Sequence, residues 1–259
     1  MGCNCCKYFS RKLNNDEDGK KIKAYSWDNR DLVEIENFMV QNIENETIIR
    51  HPGTINGQQF IIQNCKNCKV FVMDHTAAVN IDDCLNCSIF LGPIKTSLFI
   101  RDSNDCKLMA ACQQFRSRDC KRIDTYLHCT TLPIIEASTN MRFSCYQCYY
   151  PELPDQFVSC NLNVFNNNWD SIHDFTPVPG EKNYSFLPFD DRFSTEIPEV
   201  GTASVITADS LLSVVPLTYG SRPKKYDESC FVVFFIEPYQ RERVLTFLRY
   251  ILDVSDQIC

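Results

Sequence analysis

The sequence predicts an all-β protein whose short strands are laid coil upon coil, and three observations predict it. Aligned on cysteine, the middle of the chain reads "QNCKNCKVFVMDHTAAV", "DDCLNCSIFLGPIKTSL" and "DSNDCKLMAACQQFR", so that Cys65, Cys84 and Ser103 lie 19 residues apart, as do Cys68, Cys87 and Cys106. A period near 19 belongs to coiled repeat architectures, in which each repeat buries its apolar face on the next. The runs after each cysteine pair, "KVFVM" and "SIFLG", are rich in β-branched and aromatic residues and too short for helices. Asn, Asp and Cys punctuate them. Glycine is scarce there, so Asn and Asp are expected to make the turns through their tolerance of left-handed backbone.

Taken in chain order, residues 1–23 form a basic tail, with Lys7, Arg11, Lys12, Lys20, Lys21 and Lys23 against Asp16, Glu17 and Asp18. The opening Met-Gly-Cys places Gly2 for myristoylation and Cys3 for palmitoylation, with Cys5 and Cys6 beside them. One myristoyl chain binds a bilayer only marginally, so a second acyl chain or a basic patch is needed for stable anchoring. Both are present here. Cys6 departs from the usual acceptor pattern, which has Ser or Thr at that position. The other reading is a disordered tail whose cysteines bind metal or nothing.

The repeat follows, with "SRDCKRIDTYLHC" and "FSCYQCYYPEL" as its later, looser turns. Stacked cysteines then form an interior ladder of small apolar side chains. The rival is zinc, because Cys65-x2-Cys68 and Cys84-x2-Cys87 have the spacing of a four-cysteine site. The ladder is preferred because the pitch continues at Cys106 with Ser103 in the partner position, and no metal is assigned. With no secretory signal in the first twenty residues, the sixteen cysteines are expected to be reduced thiols.

Within the third turn Arg116 and Arg118 stand two apart, which in a strand places them on one face. By spacing alone they are a solvated or salt-bridged pair. After residue 186 the period disappears: 187–225 reads as a linker or irregular cover. "SCFVVFFIEP" reads as a buried strand, and "YQRERVLTFLRYILDVSDQ" as a helix with Val244, Leu245, Phe247, Leu248, Ile251 and Leu252 at helical spacing.

Composition narrows the function. A formal net charge of -7 is the wrong sign for a nucleic-acid partner. No apolar run approaches the roughly 20 residues of a membrane-spanning helix. No GxxxxGK[ST] or GxGxxG motif occurs, so neither a nucleotide nor any other cofactor is expected in the chain itself. His51, His75, His128 and His173 lie far apart and suggest no catalytic triad.

The run "QQFRSRDC" (Gln113 to Cys120) resembles the signature of the tubulin-folding cofactor C domain family. "YSWDNRD", "HPGTINGQQFIIQNC", "IDDCLNCSIFLGPIK", "QCYYPEL" and "IHDFTPVPGEKNYS" extend the likeness to one branch of that family, from Met1 to about Ser185 and weakly in "DESCFVVFF". The resemblance implies a right-handed parallel β-helix over 24–186, and for 226–259 a truncated β-α unit of a nucleoside diphosphate kinase-like domain, a short incomplete α/β segment. It implies a GTPase-activating protein for the GTP form of an Arf-like small GTPase, of the Arf-like GTPase three type, acting in traffic of lipidated proteins to cilia from the cytoplasmic face of the plasma membrane or the ciliary base. Arg116 aligns with the family's arginine finger, Gln113 with a residue beside it, Glu136 with a contact to the GTPase, and Phe175 with an apolar interface contact. Taken alone, Gln113 could cap a strand edge, Glu136 could pair with Arg118, and Phe175 could be core. Arg118 reads as structural, held by Asp119 or Glu136. The alternative function is a non-catalytic GTPase effector or scaffold, or a tubulin-cofactor-like binding module, with tubulin-related proteins or carriers of lipidated cargo as further partners.

Overall fold

In each coil of the chain, two residues with left-handed backbone stand three positions apart. The computed structural model describes residues 37–194, 206–222, 228, 230–235 and 238–258. One corner is made by Asn42, Asn64, Asp83, Asp102, Asp119 and Ala137, with φ from 45° to 56°, and a second by Asn45, Asn67, Asn86, Asp105, Arg122 and Asn140, with φ from 52° to 60°. Left-handed backbone brings Cβ close to the following carbonyl, a contact that Asn and Asp tolerate best after glycine. Ten of these twelve positions are Asn or Asp, which bears out their expected role in the turns. Their amides also stack from coil to coil, Asn64 Nδ2 donating to Asn42 Oδ1 at 2.7 Å and Asn86 Nδ2 to Asn67 Oδ1 at 2.8 Å.

Between corners the chain is extended, giving strands β1 (Met39–Glu44), β2 (Thr47–Arg50), β3 (Phe60–Lys66), β4 (Lys69–Val72), β5 (Val79–Asp82), β6 (Ser88–Leu91), β7 (Ile94–Arg101), β8 (Lys107–Arg118), β9 (Asp124–Cys129), β10 (Ile134–Glu136), β11 (Met141–Cys145), β12 (His173–Asp174) and β13 (Tyr184–Phe186). Every strand pair is parallel. One face runs β1-β3-β5-β7, continues through the end of β8, and ends at β10 and β12; the other runs β2-β4-β6, through the start of β8, to β9, β11 and β13. The architecture is a right-handed parallel β-helix of about six coils, as the resemblance implied. Strand β8 serves both faces because it turns between Cys112 and Gln114, where β7 uses three residues to match its two.

The residue after each corner points inward. Cys65, Cys84, Ser103, Cys120 and Ser138 form one buried column, and Cys68, Cys87, Cys106, Ile123 and Met141 the other. The cysteines are free thiols, and their sulfurs lie against backbone carbonyls of the preceding coil, Cys87 on Cys65 at 3.4 Å and Cys106 on Cys84 at 3.7 Å. Burial pushes the Cys120 thiol up to about 11. Among the described residues no group of three or more His, Cys, Asp or Glu side chains is placed to hold a metal ion. The expected turn at "FSCYQC" needs correction: its corners are Ala137 and Asn140, and Cys145 ends β11 off both columns, against the Pro216 carbonyl at 3.5 Å. The fourth and fifth coils are shortened, so cysteine is no longer a guide to register there.

On the first face, inward rows stack like on like: Ile62, Ile81 and Ile100 lie in one buried row with Ser117 and Ile135. On the third side, between the two strand faces, the chain runs close to itself. A Cβ on Gly92 would stand 2.5 Å from the Asp74 carbonyl, so only glycine fits. Helix α1 (Leu153–Ser159) packs there through Leu153 and Phe157, and its Gln156 Nε2 donates to Met73 O at 3.0 Å. Residues 206–222 lie against the coil with little regular structure, held by Val214 N–H on Cys148 O and by Trp169 Nε1–H on Thr218 Oγ1 at 2.8 Å.

The predicted strand in "SCFVVFFIEP" does not form. Residues 230–235 have no regular structure, and Phe231 is 92% exposed. A strand needs a neighbour for its backbone groups, and none lies beside these residues among those described. The predicted helix does form, as α2 (Gln240–Ile258), with Val244 buried and Phe247 against the ring of Phe234.

Candidate functional site

Beyond the turn in β8, side chains alternate regularly: Phe115 and Ser117 are buried, while Arg116 and Arg118 face outward. Parallel register carries this alternation across the sheet. Phe99 of β7, Arg116 of β8, Ile134 of β10 and His173 of β12 form one outward row. In such a row neighbouring strands stand about 4.8 Å apart, so the row is a continuous surface. A guanidinium therefore projects between two half-buried apolar side chains.

Arg116 Nη2 donates to Glu136 Oε2 at 2.6 Å. Among the described residues this is its one hydrogen bond, and the side chain remains 43% exposed. Four of its five N–H donors are thus left for a partner. Glu136 lies beside Arg118 in register but reaches diagonally to Arg116, because Arg118 turns to Asp119 at 3.2 Å. This separates the two alternatives of the sequence: Arg118 is held by Asp119, not Glu136. An exposed pair of that kind contributes at most about 1 kcal/mol, so Arg118 is a weaker structural element than the sequence suggested.

Phe175 is not core. It is 57% exposed, its N–H donates to Ile135 O at 2.8 Å, and its ring stands edge-on to that of His173, 5.3 Å between centroids. Gln113 lies elsewhere, at the turn where β8 changes face. Its carbonyl accepts hydrogen bonds from Thr130 Oγ1 at 3.2 Å and Thr131 Oγ1 at 3.0 Å, and its side chain is exposed. The structure thus brings Arg116, Glu136 and Phe175 to one face and leaves Gln113 at the turn within the strand that carries the arginine. Gly2 and Cys3 lie outside the described residues.

Sequence reasoning missed Phe99, Ile134 and His173, which complete the surface. The signal for His173 was available in "HDF", where two rings two residues apart share a strand face.

A profile of the family "Tubulin binding cofactor C" matches residues 57–175, which run from the third-side turn before β3 to Phe175. Fold and match together define residues 57–175 as a β-helix domain of the cofactor C class. The chain is 51% identical to "Protein XRP2" of Danio rerio over 88% of its own length and 62% of that protein, and 48% identical to "Protein XRP2" of Xenopus laevis over 92% and 70%. It belongs to the XRP2 (retinitis pigmentosa 2 protein) family. It spans roughly two thirds of the length of these relatives. Among solved structures, "Tubulin Binding Cofactor C from Leishmania major" aligns at 22% identity and a TM-score of 0.42, covering 61% of this chain and 98% of that one.

Proposed function

We propose that this protein is a GTPase-activating protein for a GTP-loaded Arf-like small GTPase, and that Arg116 is the arginine finger. The observation that carries the reading is Arg116 itself: an exposed guanidinium held by one carboxylate oxygen, with Phe99, Ile134 and Phe175 on the same outward face. Phosphoryl transfer spreads negative charge over the equatorial and bridging oxygens. A planar, permanently charged fork meets several of these oxygens together, which the point charge of lysine does not. Such a finger contributes about 10³ to 10⁵ in rate. The apolar residues would seat the GTPase, and Glu136, through its one oxygen, would keep Arg116 in place while the remaining N–H donors meet the phosphate oxygens.

The nucleotide belongs to the partner in this reading, since the chain has no phosphate loop. We further propose that Gly2 and Cys3 carry the lipids anchoring the protein to the cytoplasmic face of the plasma membrane, there or at the ciliary base acting in traffic of lipidated proteins. The test of class is a panel of Arf-like GTPases loaded with GTP or GDP, measured for binding and for hydrolysis. Selective binding to one GTP form with stimulated hydrolysis supports the reading; binding without stimulation turns it into a scaffold or a tubulin-cofactor-like binding module. The anchor is tested by Gly2→Ala, expected to move the protein from membranes to the soluble fraction; unchanged partitioning refutes it.

A further inference from the structure

We infer that Thr176 is a positioning residue for Arg116, acting through the corner that follows Glu136. Its functional meaning rests on the finger reading above. At this corner the coil breaks its own rule. In the three preceding coils the first-corner N–H donates to a backbone carbonyl of the next coil: Asp83 to Arg101, Asp102 to Arg118 and Asp119 to Glu136, at 3.1 to 3.2 Å. Register sets Ile134 against His173 and Ile135 against Asp174, so the equivalent acceptor for Ala137 would be the carbonyl of Phe175. Instead the Ala137 N–H donates to the side-chain hydroxyl oxygen of Thr176, at 2.7 Å.

Ala137 is also the one member of that corner series without an Asn or Asp side chain, at φ 45°. Its left-handed backbone has no local amide or carboxylate to support it, which leaves the Thr176 oxygen as the tie. Thr176 is itself fixed. Its N–H donates to Asp174 Oδ1 at 3.0 Å, while Asp174 Oδ2 accepts from Asn183 Nδ2 at 2.8 Å. The Asn183 carbonyl in turn accepts the N–H of Met141, at 3.0 Å, at the start of β11. This clip holds Phe175 on one side and the backbone immediately after Glu136 on the other. Glu136 then sets Arg116. Two separate parts of the proposed interface therefore share one support.

The consequence is a division between rate and binding. Without the hydroxyl the corner relaxes and the Glu136 carboxylate loses its fixed place. The guanidinium then approaches the phosphates from a wider range of positions, and small misplacements of a reacting group are costly in rate. The Thr176 N–H on Asp174 and the Phe175 N–H on the Ile135 carbonyl do not use the hydroxyl, so Phe175 and the exposed face that binds the GTPase stay in place.

The test uses the full chain and two variants, Thr176→Val, isosteric but without the oxygen, and Thr176→Ser, which keeps it. Thr176→Val is expected to lower the saturating stimulated hydrolysis rate roughly tenfold while Kd for the GTP-loaded GTPase stays within about threefold; Thr176→Ser should restore the rate. A wild-type rate in Thr176→Val, or equal loss in both variants, overturns the inference. A second readout does not involve the GTPase: amide exchange at Ala137 should quicken in Thr176→Val and stay protected in Thr176→Ser. Should the wild-type chain stimulate no GTPase, the finger reading fails alone, and unchanged Ala137 exchange in Thr176→Val would still overturn the clip.

Discussion

Glu136 touches Arg116 through a single oxygen, so removing its charge should affect the site far more than the fold. Both side chains are partly exposed, at 43% and 30%. Glu136→Gln is therefore expected to change unfolding free energy by less than about 1 kcal/mol, while lowering stimulated hydrolysis measurably. Urea unfolding and single-turnover rates on the same protein separate the two; a large stability loss with an intact rate would contradict the role given to Glu136. Phe175 was named only through the family likeness, whereas the outward placement of Arg116 was legible because alternation in a strand fixes which residues share a face. The partner of Glu136 was not. Register places it beside Arg118, and the choice of Arg116 depends on Arg118 turning to Asp119, a matter of rotamers that spacing does not record.

At the scale of the coil, the corners matter more than the cysteines. Asn67 and Asn86 are stacked left-handed residues on the second corner. Asn86→Ala removes the stacked amide and places an alanine where L-residues meet a penalty of about 1–2 kcal/mol, so a loss of that order is expected in denaturant unfolding. Asn86→Gly, relieved of the steric term, should lose less; equal losses in the two variants would show that the left-handed backbone is not the cause. The repeat was found on cysteine because three coils share the 19-residue pitch, but the deeper signature is Asn or Asp at two positions three apart. It also marks the first coil, where "QNIEN" aligns with "QNCKN" and contains no cysteine. Later coils shorten to 17 and 18 residues at the first corner, from Asp102 to Asp119 to Ala137, which hid their corners behind the off-column Cys145. The apolar run at 230–235 misled for a different reason: hydrophobicity predicts burial only where a surface is available to cover it.

For the molecule as a whole, one buried histidine sets a pH dependence. His128 is fully buried, its Nε2 3.1 Å from the Asn163 carbonyl, so Nε2 carries the proton of a neutral ring. Burial lowers its pKa from 6.5 to about 4. The folded value is the depressed one, so between those limits the unfolded chain binds more protons and stability rises with pH. Its contribution is complete above pH 6.5 and is lost as pH falls towards 4. The loss is about 2 kcal/mol by pH 5 and about 3 kcal/mol in full. Urea midpoints at pH 7.5 and pH 5 check this, and a flat profile would contradict it.

The global architecture was legible at two levels. Periodicity alone gave coiled short strands, whereas handedness and the extent of the coil came with the family likeness. The irregular third side, where α1 and residues 206–222 pack, has no period to read. The central claim is that this rigid coil presents Arg116 to a partner's nucleotide. Single-turnover GTP hydrolysis by the GTPase it binds, with wild type beside Arg116→Ala, tests that claim most directly. A stimulation of about 10³-fold or more is expected from wild type, lost in Arg116→Ala while binding persists. Full stimulation by Arg116→Ala would contradict it.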